Sequence, residues 1–287
     1  MSSLIIEKEE KWDLVIEPQS GLLDLKLRDV WRYRDLLKMF VKRDFISFYK
    51  QTILGPLWFF IQPLFTVATY TIIFGGVAGI ATDGLPKPLF YLAGITAWTY
   101  FADCLTKTST VFTVNAKIFG KVYFPRLVMP LSIIISNLVR FGVQLGLFLL
   151  MYLGYYVFGT QLEPTIYLVI FPVLVLIMAS FGMGLGMIVS SLTTKYRDMA
   201  LLVQFGTQLL MYSTTVVYPL SRVPERYKVF FEWNPIVQVI EGFRLGFLGK
   251  GEFNFQTMLI ALIISLGTLF IGVVFFNRVE KNFVDTI

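Results

Sequence analysis

Residues 51–82 form an unbroken run of 32 positions without a charged side chain, and about 20 apolar residues in a helix suffice to cross a bilayer. Directly before it lies DLKLRDVWRYRDLLKMFVKRDFISFYK, residues 24–50, where eight Lys or Arg stand against four Asp. Val30, Tyr33, Leu37, Phe40, Val41, Phe45 and Phe48 recur there at steps of three and four, which lays one apolar stripe along a helix opposite a basic face. Alone, such a stripe fits a helix on a protein core as well as one in a membrane interface. The uncharged run that follows favours the interface, with the stripe toward lipid and the basic face toward anionic headgroups.

The rest of the chain continues the pattern. Hydrophobic residues make up 56% of the 287 positions and charged ones 15%, whereas a soluble domain is about a quarter charged. Charges punctuate six spans, near residues 54–80, 89–112, 128–158, 165–191, 199–218 and 255–277. The second is interrupted only by Asp103 and Lys107, and the third only by Arg140. All six are expected to be helical, because lipid offers backbone N–H and C=O groups no partners, and no alternating barrel pattern is present. The expected fold is therefore an all-α integral membrane protein with six transmembrane helices. A cytosolic arm over residues 1–53 carries the amphipathic interface helix, the membrane domain covers 54–277, and a cytosolic tail covers 278–287. The opening MSSLIIEKEEKWD lacks a basic start, an apolar core and a small-residue cleavage site, so no signal peptide is expected. Cys104 is the sole cysteine, which excludes an internal disulfide.

Lys and Arg set the orientation. With the N-terminus inside, the inner side holds ten before residue 54, four between 107 and 126, two at 195 and 197 and two at 278 and 281; the outer side holds six in all. Both ends are expected to be cytosolic. The outer region, residues 219–250, contains two short apolar pieces separated by Asn234-Pro235, a helix-restart signal, and Gly249 and Gly251 can end the second. Each piece is too short to span. Two re-entrant half-helices fit this pattern, as does a small extramembrane helical cap.

Several chemistries are excluded. With no His, there is no imidazole base, His metal ligand or Ser-His pair. No G-x-x-x-x-G-K-[ST] occurs, because Asn115 and Arg244 stand where Gly120-Lys121 and Gly249-Lys250 would need an upstream glycine. The loops lack the carboxylate clusters of a divalent-metal glycosyltransferase. No catalytic residue, bound metal, bound cofactor or nucleic-acid partner is expected.

Aromatic residues are the positive signal. Trp58, Phe59, Phe60, Phe65, Tyr70 and Phe74 lie in the first span, Phe90, Tyr91, Trp98, Tyr100 and Phe101 in the second, and Phe205, Tyr212 and Tyr218 in the fifth. Rows of Tyr and Trp can stack on the C–H faces of sugar rings in a pore, or they can be interfacial belt residues, as Tyr91 and Tyr218 near span ends suggest. Arg140 should face a cavity or a partner, since an unpaired charge inside the bilayer costs about 2.5–3.5 kcal/mol on insertion scales. Asp103 and Lys107, four apart on one helix face, can pair. Gly142-x-x-x-Gly146 and Gly182-x-x-x-Gly186 permit close helix packing.

At YKQTILGPLWFFIQPLF the chain resembles the permease subunits of type-two polysaccharide-exporting ABC transporters, the exporters of O-antigen, capsule and teichoic acid. Further matches are NAKIFGKVYFPRLVMPLS (115–132), TKYRDM (194–199) and WNPIVQVIEGFR (233–244). The resemblance implies a half-channel in the bacterial inner membrane. A second copy of the chain and two separate ATPase subunits, which hold the ATP and Mg, would complete it. It places a coupling helix in the loop 113–127 with Asn115, Lys117, Phe119 and Lys121, and a second ATPase contact at Tyr196, Arg197 and Asp198. Pore aromatics are then Trp58, Phe59, Tyr70, Trp98 and Tyr212. The cargo would be an undecaprenyl-diphosphate-linked glycan, drawn in from the cytosolic side by Arg32, Arg34, Lys42 and Arg43, with membrane lipids around it. The rival readings are a drug- or lipid-exporting permease of the same branch and a membrane-embedded glycan-modifying enzyme.

Overall fold

The computed structural model describes residues 27–50, 52–122, 124–196 and 198–283. The first 26 residues of the expected arm, Arg197 and residues 284–287 of the expected tail lie outside them. Among the described residues every regular element is helical. In chain order these are α1 (Leu27–Arg32), α2 (Arg34–Tyr49), α3 (Trp58–Tyr70), α4 (Lys87–Ser109), α5 (Val111–Val114), α6 (Ala116–Phe119), α7 (Val128–Val157), α8 (Phe171–Thr193), α9 (Met199–Tyr212), α10 (Glu225–Glu232), α11 (Pro235–Leu248) and α12 (Phe255–Phe283). Four helical stretches are long and apolar enough to cross a membrane: Gly55–Val77, Val128–Val157, Ile166–Thr193 and Phe255–Val279.

The first of these is irregular for a local reason. A 3-10 turn over Gly55–Leu57 leads into α3, and a π turn over Thr71–Val77 follows it. Pro63 inside α3 has no N–H to give to the ladder. The hydroxyls of Thr66 and Thr69 bond back to the Gln62 and Phe65 carbonyls.

α4 has 23 residues, about 34 Å of helix, yet Thr96, Asp103, Thr106, Lys107 and Thr108 make it more polar than the four stretches above. Its place explains the tolerance. It is the central helix, packed by α3, α7, α8, α9 and α11, so its polar groups meet protein and cavity rather than lipid. Glycines on α8 bring one wall in close. A Cβ on Gly182 would stand 2.9 Å from the Cys104 Cβ, and one on Gly186 would stand 2.6 Å from the Thr108 Cβ. Gly184, on the opposite face, lies against α12, where a Cβ would come 2.6 Å from the Leu269 nitrogen. The FGMGLGM run is thus a seam on two sides, joining α8 to both α4 and α12. Gly142 and Gly146 differ: an added Cβ meets nothing within 4 Å at either, so that pair makes no seam within the chain.

Two expectations are corrected. The apolar stripe of the arm is not laid on lipid: Val30 and Phe40 are buried, Tyr33, Leu36 and Leu37 pack against the core, and α2 lies along α7. Phe40 meets Phe124 at 5.8 Å between ring centroids, and Phe45 stacks on Phe59 at 5.6 Å. A stripe that finds an apolar protein wall buries the same area there as it would in lipid. The fifth helix also ends early. α9 stops at Tyr212 rather than 218 because Ser213 and Thr214 turn their hydroxyls onto the Leu209 and Met211 carbonyls, which competes with the helical ladder. Its 14 residues cover about 21 Å, short of a hydrocarbon core of about 30 Å.

Beyond α9 the two short apolar pieces are both helical. Asn234 caps α11, its Oδ1 accepting the Ile236 N–H at 3.0 Å, Pro235 opens the helix, and Gly249 ends it at φ 69°. α10 is largely exposed. α11 is buried against α4, α8 and α12.

Candidate functional site

α3, α4 and α7 converge on a cavity of about 340 Å³. α3 supplies Trp58, Phe59, Gln62, Thr66 and Tyr70, which one helical face presents together; α4 adds Trp98 and Thr99, and α7 adds Phe141 and Gln144. Its upper wall is aromatic and is fixed by ring contacts: Tyr70 meets Tyr91 edge-on at 6.1 Å, Trp98 meets Phe101 at 5.4 Å, and Tyr100 meets Phe141 at 5.2 Å. Tyr70 also donates its hydroxyl to the Met211 sulfur at 3.4 Å, tying α3 to α9.

The floor of this cavity is ionic. Lys107 Nζ lies 2.6 Å from Asp103 Oδ2, and Arg140 Nη1 lies 3.5 Å from the same oxygen. Lys107 donates a further bond to Asn137 Oδ1 at 2.8 Å. Asn137 in turn points its amide at the Cys104 sulfur. Arg140, 16% exposed, therefore sits in a polar niche between two helices and not against lipid.

Below lies a second cavity of about 360 Å³, walled by Arg43, Asp44 and Ser47 of α2, Thr110 and Asn115, and Ser132 and Ser136 of α7. Lys107, Asn137 and Arg140 line both cavities. These three side chains are shared by the walls of the two spaces; the wall of the upper space mixes six aromatic rings with polar Gln62, Thr66, Thr99 and Gln144, and the lower wall is mostly polar. Arg43 is held at the lower mouth by a two-nitrogen bond to Asp44, at 2.7 and 2.9 Å, and its guanidinium covers the Phe40 ring. On the outer face of the arm Lys38 donates to Asp35 at 3.0 Å, and this hydrogen bond, with the ammonium charge, holds the Asp35 carboxyl below its ordinary range.

Four of the five aromatic candidates, Trp58, Phe59, Tyr70 and Trp98, line the upper cavity. Tyr212 does not; it is 54% exposed on the outer face of α9, and its carbonyl accepts the Tyr218 hydroxyl. Of the basic arm candidates Arg43 lines the lower cavity, while Arg32, Arg34 and Lys42 lie on the exposed face of the arm. The coupling loop holds two single-turn helices instead of one long one. Asn115 between them is buried, its amide bonded to the Val111 carbonyl at 3.0 Å. Phe119 packs inward on Phe112 and Phe124. Lys117 and Lys121 are exposed, as are Tyr196, under the Lys195 ammonium, and Asp198.

Sequence reasoning left Asn137 unremarked. A signal was present, since Asn137, Arg140 and Gln144 at steps of three and four draw a polar line down an apolar helix. It also missed a buried ion pair in α11. Glu241 and Arg244, 2% and 1% exposed, approach to 3.2 Å. Arg244 also donates to the Val216 carbonyl at 3.2 Å and covers the Phe90 ring at 3.5 Å, while Glu241 accepts the Glu252 N–H at 3.2 Å. The pair binds α11 to α4 and to the segments on either side of it. Its i, i+3 spacing in an otherwise apolar piece was the cue.

Residues 35–248 match the family model described as ABC-2 type transporter. The O-antigen export system permease protein RfbA of Myxococcus xanthus is 26% identical over 264 residues, covering 91% of this chain and 98% of that one. A protein of the same description from Klebsiella pneumoniae is 27% identical over 252 residues, 88% of this chain and 94% of its own. The polysialic acid transport protein KpsM of Escherichia coli is 26% identical over 235 residues, 79% and 87%.

Proposed function

Because the chain belongs to the ABC-2 type transporter family, we propose that it is the membrane-spanning permease subunit of an ATP-driven exporter of a lipid-linked polysaccharide. The observation that carries this reading is a pair of cavities that share the basic wall of Lys107 and Arg140, the lower mostly polar and the upper set with six aromatic rings among polar groups. A cargo with an anionic diphosphate head and a long sugar chain makes two demands. The head needs Lys and Arg at a sheltered entry, and the chain needs ring faces that hold each sugar weakly enough to let it advance. Trp58, Phe59, Tyr70 and Trp98 would serve the chain, and Arg43 at the lower mouth, with Arg32, Arg34 and Lys42 outside it, would draw in the head.

In this reading the membrane domain crosses six times. α4 is the second crossing and α9 with the turns to residue 218 the fifth; α10 and α11 re-enter from the outer face. The burial of α11 among α4, α8 and α12 supports re-entry over an external cap. The excess of Lys and Arg on the side of the N-terminus supports cytosolic ends in a bacterial inner membrane. Two copies would pair, with Tyr212 on a face of α9 turned to the shared pore. A separate ATPase, binding the ATP and Mg, would dock on the exposed Lys117 and Lys121, backed by Asn115 and Phe119, and on Tyr196, Arg197 and Asp198. Its closure would rearrange the first and fifth spans of both copies.

The test is deletion of the gene in its own host. The expected result is loss of the surface glycan with accumulation of its lipid-linked form on the cytosolic face, restored by the gene in trans. Normal surface glycan in the deleted strain refutes the reading.

A further inference from the structure

Three helices each turn one polar side chain into the upper cavity and leave it without a partner. Gln62 of α3, Thr99 of α4 and Gln144 of α7 line that space, and among the described residues none of the three side chains makes a hydrogen bond. Other threonines of the same helices fold their hydroxyls onto their own backbone: Thr66 and Thr69 onto the Gln62 and Phe65 carbonyls, and Thr106 onto that of Ala102. The three also stand at one level. α4 returns along α3, with Lys87 on the Gly75 carbonyl and Tyr91 against Tyr70; eight residues from the tyrosine contact on each helix, about 12 Å along it, come Gln62 and Thr99. Thr99 lies four residues before Asp103 and Gln144 four after Arg140, each one turn beyond that ion pair on its own helix. Rings flank this level: Trp98 adjoins Thr99, and Phe141, in contact with Tyr100 at 5.2 Å, lies a turn before Gln144. Unpaired amides and hydroxyls in an apolar bundle are costly unless a polar guest meets them. A cavity of about 340 Å³ falls within the range of small-ligand sites, about 300–1,000 Å³.

We propose that Gln62, Thr99 and Gln144 form a hydrogen-bonding rung that reads the hydroxyl edge of one neutral sugar unit while Trp58 and Trp98 take its ring faces, so that this level of the cavity selects among glycans. The assignment rests on the exporter reading above and adds to it a means of discrimination. Stacking alone treats alike all sugars that present the same C–H face. A sugar hydroxyl both donates and accepts hydrogen bonds, and so does each of the three side chains. A pyranose carries its hydroxyls around the rim of two less polar faces, and this wall sets amides and a hydroxyl between rings in the same way. A unit that lacks a hydroxyl, or points it the other way, leaves a rung member unpaired. Sites built to bond a hydroxyl reject ligands without it more strongly than apolar pockets reject a missing methylene. One bond per side chain is weak enough for the chain to move on.

The probes are short oligosaccharides cut from the host's own surface glycan and the same fragments O-methylated, which removes the hydroxyl donors and keeps the ring faces. Saturation-transfer difference NMR on the full-length chain in nanodiscs measures such weak binding. The wild-type chain is expected to bind the native fragment at least about fivefold more tightly than the methylated one, about fivefold being the net worth of one hydrogen bond. Gln62→Met, Thr99→Val and Gln144→Met keep the shape of each side chain and remove its polar atoms. Each should weaken the native fragment by about fivefold and leave the methylated one unchanged, and the triple variant should lose the preference altogether. A preference due only to the bulk of the added methyl groups would persist in the triple variant, and that result overturns the rung. Apolar atoms suit these helices, and if the triple variant fails to fold the single variants carry the measurement. Wild-type affinity for the native fragment in the folded single variants also overturns the rung, leaving it a site for water only. Equal affinity of the wild-type chain for both fragments overturns the hydroxyl readout but not the stacking. A wild-type chain that binds neither fragment overturns the sugar reading of the cavity and the rung with it, which keeps the two failures apart.

Discussion

The Glu241–Arg244 pair of α11 makes the sharpest energetic prediction. Arg244→Met removes the cation at 3.2 Å from a carboxylate that is 2% exposed, and leaves the Glu252 N–H as the donor bonded to Glu241. Stranding one member of a buried pair costs about 3–5 kcal/mol, and the bond to Val216 and the Phe90 ring contact are lost as well. Glu241→Gln/Arg244→Met should recover a large part of this loss, because the amide oxygen can still accept the Glu252 N–H and no charge remains. The expected coupling energy is at least about 1.5 kcal/mol, against under about 0.5 kcal/mol for independent sites. Unfolding of the four chains of the cycle by SDS in mixed micelles, followed by tryptophan fluorescence, measures it. Added salt should leave the coupling unchanged, since a buried pair is little screened. An additive cycle, or a coupling that vanishes in high salt, would refute the view of this pair as a desolvated lock.

Other predictions follow from the geometry. Gly186→Val forces a side chain into the Thr108 contact and should destabilise by 1–3 kcal/mol or more in the same unfolding assay; Gly142→Val, facing open space, should stay near wild type. Arg43→Glu at the lower cavity should lower cargo export more than Arg34→Glu on the exposed face, with protein levels held equal by immunoblot. Trp58→Leu and Trp98→Leu should each slow glycan export by roughly two- to tenfold, the range of an aromatic contact, and unchanged export in the pair would remove the stacking role. Lys117→Glu/Lys121→Glu should reduce recovery of the ATPase subunit in a pull-down without loss of folded permease, because both ammoniums are exposed on one loop.

Helix class, the long apolar stretches and the restart at Asn234-Pro235 were legible from the chain because each is set by local composition. A run without charges, or an Asn-Pro before an apolar stretch, imposes its structure whatever packs on it. Placement was not local. The stripe of Val30, Leu37 and Phe40 is the same whether lipid or α7 covers it, since apolar burial has no direction. α4 reads as a poor span because its threonines and charges are scored against lipid, yet α3, α7, α8, α9 and α11 surround it. The two Gly-x-x-x-Gly pairs look alike in one dimension, but only the α8 pair meets a neighbouring backbone within the chain. Asp103 and Lys107 could be paired from their spacing, four apart on one turn of helix. Bringing in Arg140 and Asn137 from α7 needed the packing of two helices, and that packing makes a local ion pair into part of a wall shared by two cavities.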